Sequence, residues 1–186
     1  MTTSTPVIIG EAALTIEDVC GVAGGRAPVA LSQAPAFRAR VTKGAAFLDR
    51  LLEEDGRIYG VTTGYGDSCT VDIPADLVEE LPLHLTRFHG CGLGAHLSAE
   101  LARAVLVTRL ASLAAGYSGV RWEILERLVL FLNEDIVPLI PEEGSVGASG
   151  DLTPLSYVAA LLIGERNALW KRRQMPTADK GFRSPL

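Results

Sequence analysis

Apolar side chains recur at helical spacing between residues 35 and 55. Side chains three or four positions apart lie on the same face of a helix. That face holds Phe37, Val41, Ala45, Leu48 and Leu52. Gly56 follows as a natural helix stop. The pattern therefore predicts one helix that places Tyr59 just beyond its end.

Two further stretches, 98–115 and 120–133, are apolar almost all round, which is typical of buried helices. Gly116 separates them, and Pro138 with Pro141 is expected to end the second one. The predicted core stripe of the second helix consists of Ile124, Leu128 and Phe131.

A later helix is predicted from Asp151 to about Gly164, after a loop at 139–150. Strand-like patterns are confined to short pieces around 6–10 and 57–61. We therefore predict a mainly α fold with a small mixed α/β N-terminal segment.

Prolines and glycines break the pattern between these segments. Pro74 opens a helical stretch, Pro82 is expected to interrupt it, and glycines follow at 90, 92 and 94. Phe88 and His89 thus fall near a helix terminus or kink, where a break in the backbone opens space for a ligand.

The composition indicates a globular protein with one domain. Of the 186 residues, 48% are hydrophobic and 21% charged, which excludes a disordered chain. The net charge of −5 argues against nucleic acid or an anionic membrane as a partner, because such binding depends on clustered Lys and Arg. The basic residues between Arg166 and Arg183 are interpreted as a solvated tail.

Cys20, Cys69 and Cys91 are odd in number and lack paired spacing, so we expect neither a disulfide framework nor a metal site. The N-terminus lacks a basic segment followed by an apolar run, and no stretch approaches the length of a membrane span. The predicted location is the cytoplasm.

Residues 144–152 read Gly-Ser-Val-Gly-Ala-Ser-Gly-Asp-Leu, and the central Ala148-Ser149-Gly150 is a tripeptide that can cyclise on itself. The amide nitrogen of Gly150 would attack the carbonyl carbon of Ala148. Loss of two water molecules would then leave a 4-methylidene-imidazol-5-one whose exocyclic carbon comes from Ser149. The alternative is an ordinary small-residue loop before a helix whose free amides are capped by the Asp151 carboxylate.

The extended string through Leu152-Thr153-Pro154-Leu155-Ser156 closely resembles the signature of the aromatic amino acid ammonia-lyases and aminomutases, the family of the histidine, phenylalanine and tyrosine ammonia-lyases. Two more blocks resemble the same family: Ile58-Tyr59-Gly60-Val61-Thr62-Thr63-Gly64-Tyr65-Gly66, and His84-Leu85-Thr86-Arg87-Phe88-His89-Gly90. The resemblance covers residues 5–170. It implies the N-terminal part of the helical ammonia-lyase fold of the fumarase/aspartase-like superfamily.

This resemblance implies a role for each matching residue. Ser149 supplies the electrophilic carbon of an autocatalytically formed ring, and no metal takes part. Tyr59 removes the β-proton of a small aromatic amino acid, ammonia leaves, and a trans-α,β-unsaturated acid results. Asp151 supports ring closure. The expected substrate-binding residues are Phe88, His89 and Gly66.

Several alternatives stay open at this stage. A lone Tyr59 is also compatible with a packed aromatic residue, and His89 with a structural histidine. The Phe88-His89 pair is a hybrid of the pairs in the family's histidine, phenylalanine and tyrosine lyases. His89 can bond a phenol or an imidazole, whereas Phe88 prefers an apolar ring face. Together with Tyr65 in place of the more usual Phe, this favours an aryl substrate.

Family members are more than twice as long, so we expect residues 1–165 to form an N-terminal ammonia-lyase region and 166–186 a basic tail, truncated relative to the family. One reading is an enzyme, acting as a fragment of a longer protein that forms a homotetramer, or with a separate C-terminal half. Another is a non-catalytic remnant. Lyase and aminomutase cannot be told apart here, because both use the same electrophile and base and differ in site closure.

Overall fold

The computed structural model describes residues 5–54, 56–171 and 173–175, and these are mainly helical. The predicted fold class is confirmed. The helices are α1 (Ile16–Ala23), α2 (Pro35–Glu53), α3 (Leu81–His89), α4 (Ala99–Ala114), α5 (Trp122–Asn133) and α6 (Leu152–Ile163). Short 3₁₀ helices lie at Gly66–Thr70 and Ala75–Leu77.

The strands form small separate sheets. Their bounds are β1 (Val7–Ile9), β2 (Val29–Leu31), β3 (Leu93–His96), β4 (Ile136–Pro138), β5 (Pro141–Glu143), β6 (Ala168–Trp170) and β7 (Arg173–Met175). β1 and β2 pair in parallel around α1, which is the expected mixed N-terminal segment. β3 pairs antiparallel with β5, and β6 lies between β4 and β7.

Local chemistry explains several helix ends. Thr15 and Asp18 form a reciprocal capping box at the start of α1, with bonds of 2.9 and 3.1 Å. The backbone hydrogen bond from Thr15 holds the pKa of Asp18 below its ordinary value. Ser98 caps α4 by accepting from the Leu101 amide at 3.2 Å. Gly164 ends α6 in the left-handed conformation.

Helix α4 is the centre of the core and packs against α1 and α5. Its buried face includes Leu106, Val107 and Leu110. Arg103 lies on the same helix and is also buried. Its guanidinium donates to the carbonyls of Val22, Ala23 and Leu132 and to the carboxylate of Asp135. One side chain thus holds the ends of α1 and α5 against α4.

The structure corrects four predictions. Residues 57–61 are not a strand: a turn covers residues 59–62, with the Val61 amide bonded to the Ile58 carbonyl at 3.1 Å. The strands after β1 went unpredicted. Pro82 lies in the first turn of α3 rather than interrupting a helix, because a missing N–H costs nothing there. Helix α5 ends at Asn133, as the predicted stretch 120–133 has it, but neither proline is the stop signal that was expected.

The predicted stripe of α5 is partly right. Leu128 and Phe131 are buried, but Ile124 is only half-buried. Trp122, Leu125 and Leu132 complete the buried face.

The domain boundary at residue 165 stays a prediction. Beyond it, β6 and β7 continue the fold, and Ala168 belongs to the hydrophobic core. Within the predicted tail, Arg172 and residues 176–186, with Lys180 and Arg183, lie outside the described residues.

Candidate active site

The loop that joins β5 to α6 presents Ala148 and Ser149 at the surface. Gly150 follows with a φ of +71°, a backbone conformation that favours glycine. A Cβ added at Gly150 would also lie 2.6 Å from the Ser145 hydroxyl oxygen. Both conformation and space therefore require glycine at the third position of the tripeptide.

The Ser149 hydroxyl donates a 2.5 Å hydrogen bond to the Asp151 carboxylate. Asp151 stands at the N-cap position of α6, yet its side chain makes no bond to the helix amides. The alternative interpretation of this carboxylate as a helix cap is therefore wrong. The carboxylate is turned towards the hydroxyl that cyclisation would remove.

Helix α6 begins at Leu152, so Ser149 lies at the positive end of the helix dipole. The first amides of a helix have no partner within it and stabilise nearby negative charge. Because Asp151 leaves these amides free, the start of α6 can stabilise an oxyanion formed in the loop.

Tyr59 lies in a loop that its own hydrogen bonds close. Its phenolic oxygen accepts a 2.9 Å bond from the Gly66 amide, and the side chain is 64% exposed. The hydroxyl of Thr63 accepts from the Gly60 amide at 3.1 Å. The sequence had identified no donor for Tyr59.

Tyr65 is a residue whose position sequence reasoning missed. Its ring centroid lies 5.9 Å from that of Tyr59 and 5.8 Å from that of His89. Burial raises the pKa of the Tyr65 phenol, Tyr59 raises it further, and Arg109 partly opposes both. A tyrosine at a motif position where phenylalanine is usual was the signal in the sequence that could have pointed to Tyr65. No sequence pattern showed that its ring packs between the rings of Tyr59 and His89.

Phe88 and His89 are the last residues of α3, as predicted. Their rings meet edge to face with centroids 5.1 Å apart, and Phe88 is 76% exposed. The four rings therefore form a continuous series of contacts, here called the aromatic row: Tyr59, Tyr65, His89 and Phe88. The row joins the predicted base to both predicted ring-contacting residues.

Arg87 anchors the end of α3 by a two-pronged ion pair. Its Nε and Nη2 donate to the Glu165 carboxylate at 3.1 and 2.9 Å. These bonds hold the pKa of Glu165 below its ordinary value, and the charges of Arg87 and Arg166 lower it further, whereas burial opposes them. Arg87, the residue before Phe88, thus bonds Glu165 just beyond the C-terminal end of α6.

The Ser149 loop adjoins the segment that follows His89. Pairing of β3 with β5 brings them together, with Leu93 opposite Glu143. A Cβ added at Gly144 would lie 3.3 Å from the Gly92 Cα. Within the described residues, no hydrogen bond joins the Tyr59 loop to residues 144–151.

In the described part of the chain, no three His, Cys, Asp or Glu side chains are grouped so that they could hold a metal ion. No helix of this part is both long and apolar enough to cross a membrane.

Comparison with known proteins places this geometry in context. Residues 14–182 match the family model described as "Aromatic amino acid lyase". A histidine ammonia-lyase from Symbiobacterium thermophilum is 41% identical over 166 residues, which are 89% of this chain and 32% of that protein. The chain thus spans about a third of the length of this curated relative.

Solved structures show the same relationship. The tyrosine aminomutase from Streptomyces globisporus superimposes with a TM-score of 0.84 at 39% identity, covering 97% of this chain and 34% of that one. The histidine ammonia-lyase from Trypanosoma cruzi superimposes with a TM-score of 0.78 at 30% identity, covering 92% of this chain and 32% of the other.

Proposed function

Because this chain belongs to the aromatic amino acid lyase family, we propose that it carries the electrophile and the base for removing ammonia from an aromatic L-amino acid. The product would be a trans-α,β-unsaturated acid. The observation that carries the proposal is the Ser149 hydroxyl bonded at 2.5 Å to the Asp151 carboxylate, in a loop that requires glycine at position 150.

The residues present fit a methylidene-imidazolone made from Ala148, Ser149 and Gly150. The Asp151 carboxylate accepts a hydrogen bond from the Ser149 hydroxyl, and no Cβ at Gly150 obstructs the approach of its nitrogen to the Ala148 carbonyl. When formed, the ring supplies an electrophilic carbon for the amino acid substrate. The free amides at the start of α6 stabilise negative charge beside it.

Tyr59 is the proposed base that takes the β-proton. Tyrosine at its ordinary pKa near 10 is a weak base at neutral pH, so its anion needs stabilisation. The Gly66 amide donates a hydrogen bond to the phenolic oxygen and holds the side chain in place. The role of Gly66 in substrate binding stays a prediction.

Phe88 and His89 are proposed to contact the substrate ring, with an aryl group preferred. The exposed Phe88 offers an apolar ring face, and His89 offers a nitrogen that can bond a phenol hydroxyl. Histidine is the alternative substrate, supported by the histidine ammonia-lyase that is 41% identical.

An aminomutase of the same family is the second candidate, favoured by the superposition on a tyrosine aminomutase over 97% of the chain. Such an enzyme would return ammonia to the β-carbon. We further propose a homo-oligomer, or assembly with a chain that supplies the remaining part of the site. Exposed apolar side chains such as Phe47, Leu101 and Leu130 support this. The cytoplasmic location stays a prediction.

The test is the intact mass of the purified protein, with peptide mapping. We expect loss of two water molecules within residues 148–150 and turnover of L-phenylalanine, L-tyrosine or L-histidine. Ser149→Ala should abolish both, whereas Ser112→Ala, on the exposed face of α4, should change neither. Analysis of the products separates an unsaturated acid from a β-amino acid.

Undiminished deamination by Ser149→Ala would overturn the assigned electrophile. An unmodified wild-type mass would instead favour the non-catalytic scaffold.

A further inference from the structure

The corner between α3 and β3 is held from α6 by a buried tyrosine. Tyr157 is 6% exposed and lies in the middle of α6. Its hydroxyl donates to the Gly90 carbonyl at 3.2 Å and accepts from the Gly92 amide at 3.1 Å. One hydroxyl therefore holds both peptide groups of the segment that directly follows His89.

Arg166 contacts the same corner from the far end of α6. Its Nη2 donates to the Gly90 carbonyl at 2.6 Å, and its guanidinium carbon lies 4.5 Å from the centroid of the Tyr157 ring. Stacking on the ring and bonding to the carbonyl together restrict the guanidinium to one position. We call Tyr157, Arg166 and the Gly90 carbonyl the Gly90 clamp.

The Gly90 clamp matters because α6 also carries the Ser149 loop at its start. A rigid helix that holds the loop at one end and the Gly90 corner further along sets the distance between the two. We propose that Tyr157 and Arg166 are positioning residues that place Phe88 and His89 relative to Ser149 and thereby set affinity for the substrate ring. This inference rests on the proposed function.

Two variants test the clamp without touching the aromatic row. Tyr157→Phe removes both hydroxyl bonds and keeps the ring beneath Arg166. Gly90→Ala would place a Cβ against the Arg166 guanidinium, while its φ of −76° suits alanine. The guanidinium can move aside, because it borders a cavity of about 480 Å³ that Tyr157 also lines. Tyr117→Phe, at a side chain that is 92% exposed, is the matched control.

Three measurements are made on each purified protein: intact mass, amide hydrogen exchange, and KM and kcat with L-phenylalanine, L-tyrosine and L-histidine. We expect both clamp variants to keep the loss of two water molecules. Amide hydrogen exchange in residues 88–94 should accelerate about fivefold. This factor corresponds to about 1 kcal/mol, the net contribution of one hydrogen bond. KM should rise about fivefold with a smaller change in kcat. The control should match the wild type.

The clamp is contradicted if exchange in 88–94 stays at the wild-type rate, if it accelerates equally along all of α6, or if it accelerates locally while KM is unchanged. A wild-type protein that neither loses water nor turns over substrate would mean that the proposed function has failed. The exchange rates in 88–94 would then decide by themselves whether the clamp positions the corner.

Discussion

The Gly66 amide donates a 2.9 Å hydrogen bond to the phenolic oxygen of Tyr59, seven residues earlier in the chain. This bond closes the loop on itself and holds a largely exposed tyrosine in one place. The same contact therefore fixes the position of the proposed base.

Replacing Tyr59 should separate proton removal from formation of the electrophile. We expect Tyr59→Phe to lower kcat by a factor on the order of 100 or more, because positioned general bases contribute at least that much. The loss of two water molecules should persist, since no hydrogen bond in the described residues links Tyr59 to the Ser149 loop. Mass spectrometry and a deamination assay check the two parts, with Tyr117→Phe as control. Wild-type kcat in Tyr59→Phe would exclude it as the base.

Gly60 is the position where the Tyr59 loop has least room. Its φ is +72°, and an added Cβ would collide with the Tyr65 ring. Gly25 is a matched control, with a φ of +69° and open space around it. We expect Gly25→Ala to lower the free energy of unfolding by about 1 kcal/mol through backbone strain alone. Gly60→Ala should in addition displace Tyr65, lowering the near-UV circular dichroism and kcat. Equal effects of the two substitutions would contradict the packing argument.

The Asp151 carboxylate should be needed for ring closure and not for the helix. In Asp151→Asn the amide oxygen still accepts a hydrogen bond from the Ser149 hydroxyl. The side chain can no longer take a proton from the Ser149 Cα and pass it to the hydroxyl that leaves as water. We expect the loss of two water molecules to be incomplete by intact mass and far-UV circular dichroism to be unchanged, because this side chain does not cap α6. Asp49→Asn, on the exposed side of α2, should cyclise normally. Complete cyclisation in Asp151→Asn would refute the role.

Arg103 should be among the most important side chains for stability. Arg103→Met removes the side-chain donor to the carbonyls of Ala23 and Leu132 and leaves Asp135 without its cation. We expect the free energy of unfolding in a urea titration to fall by about 3 kcal/mol. Arg50→Met removes an exposed pair with Glu54 and should cost about 0.5 kcal/mol or less. Similar losses in the two variants would show that the buried bonds contribute little.

The ion pair of Arg87 and Glu165 predicts a pH dependence with a definite sign. A carboxylate whose pKa is lower in the folded state stabilises the fold above its unfolded-state pKa and loses that contribution as pH falls through the folded value. The stability difference between wild type and Glu165→Gln should therefore be largest near neutrality and shrink below the ordinary value of 4.5. Urea titrations at several pH values measure it. A difference that stays constant down to about pH 3 would contradict this assignment.

Sequence alone determined the features that depend on neighbouring residues. Apolar spacing and stop signals located α2, α4, α5 and α6 to within a few residues, because helical hydrogen bonds join residues four apart. The Ala148-Ser149-Gly150 tripeptide and Tyr59 were recognisable because their chemistry lies in short, unusual strings. The mainly helical class and the family both followed from these local patterns.

Tertiary structure decided what depends on residues far apart in the chain. Three-residue strands such as β4 and β6 carry no periodic pattern, and only their pairing defines them. The contacts of Tyr157 and Arg166 with Gly90 join residues 67 and 76 positions apart. These contacts depend on which distant residues folding brings together, and a pattern along the sequence does not contain that information.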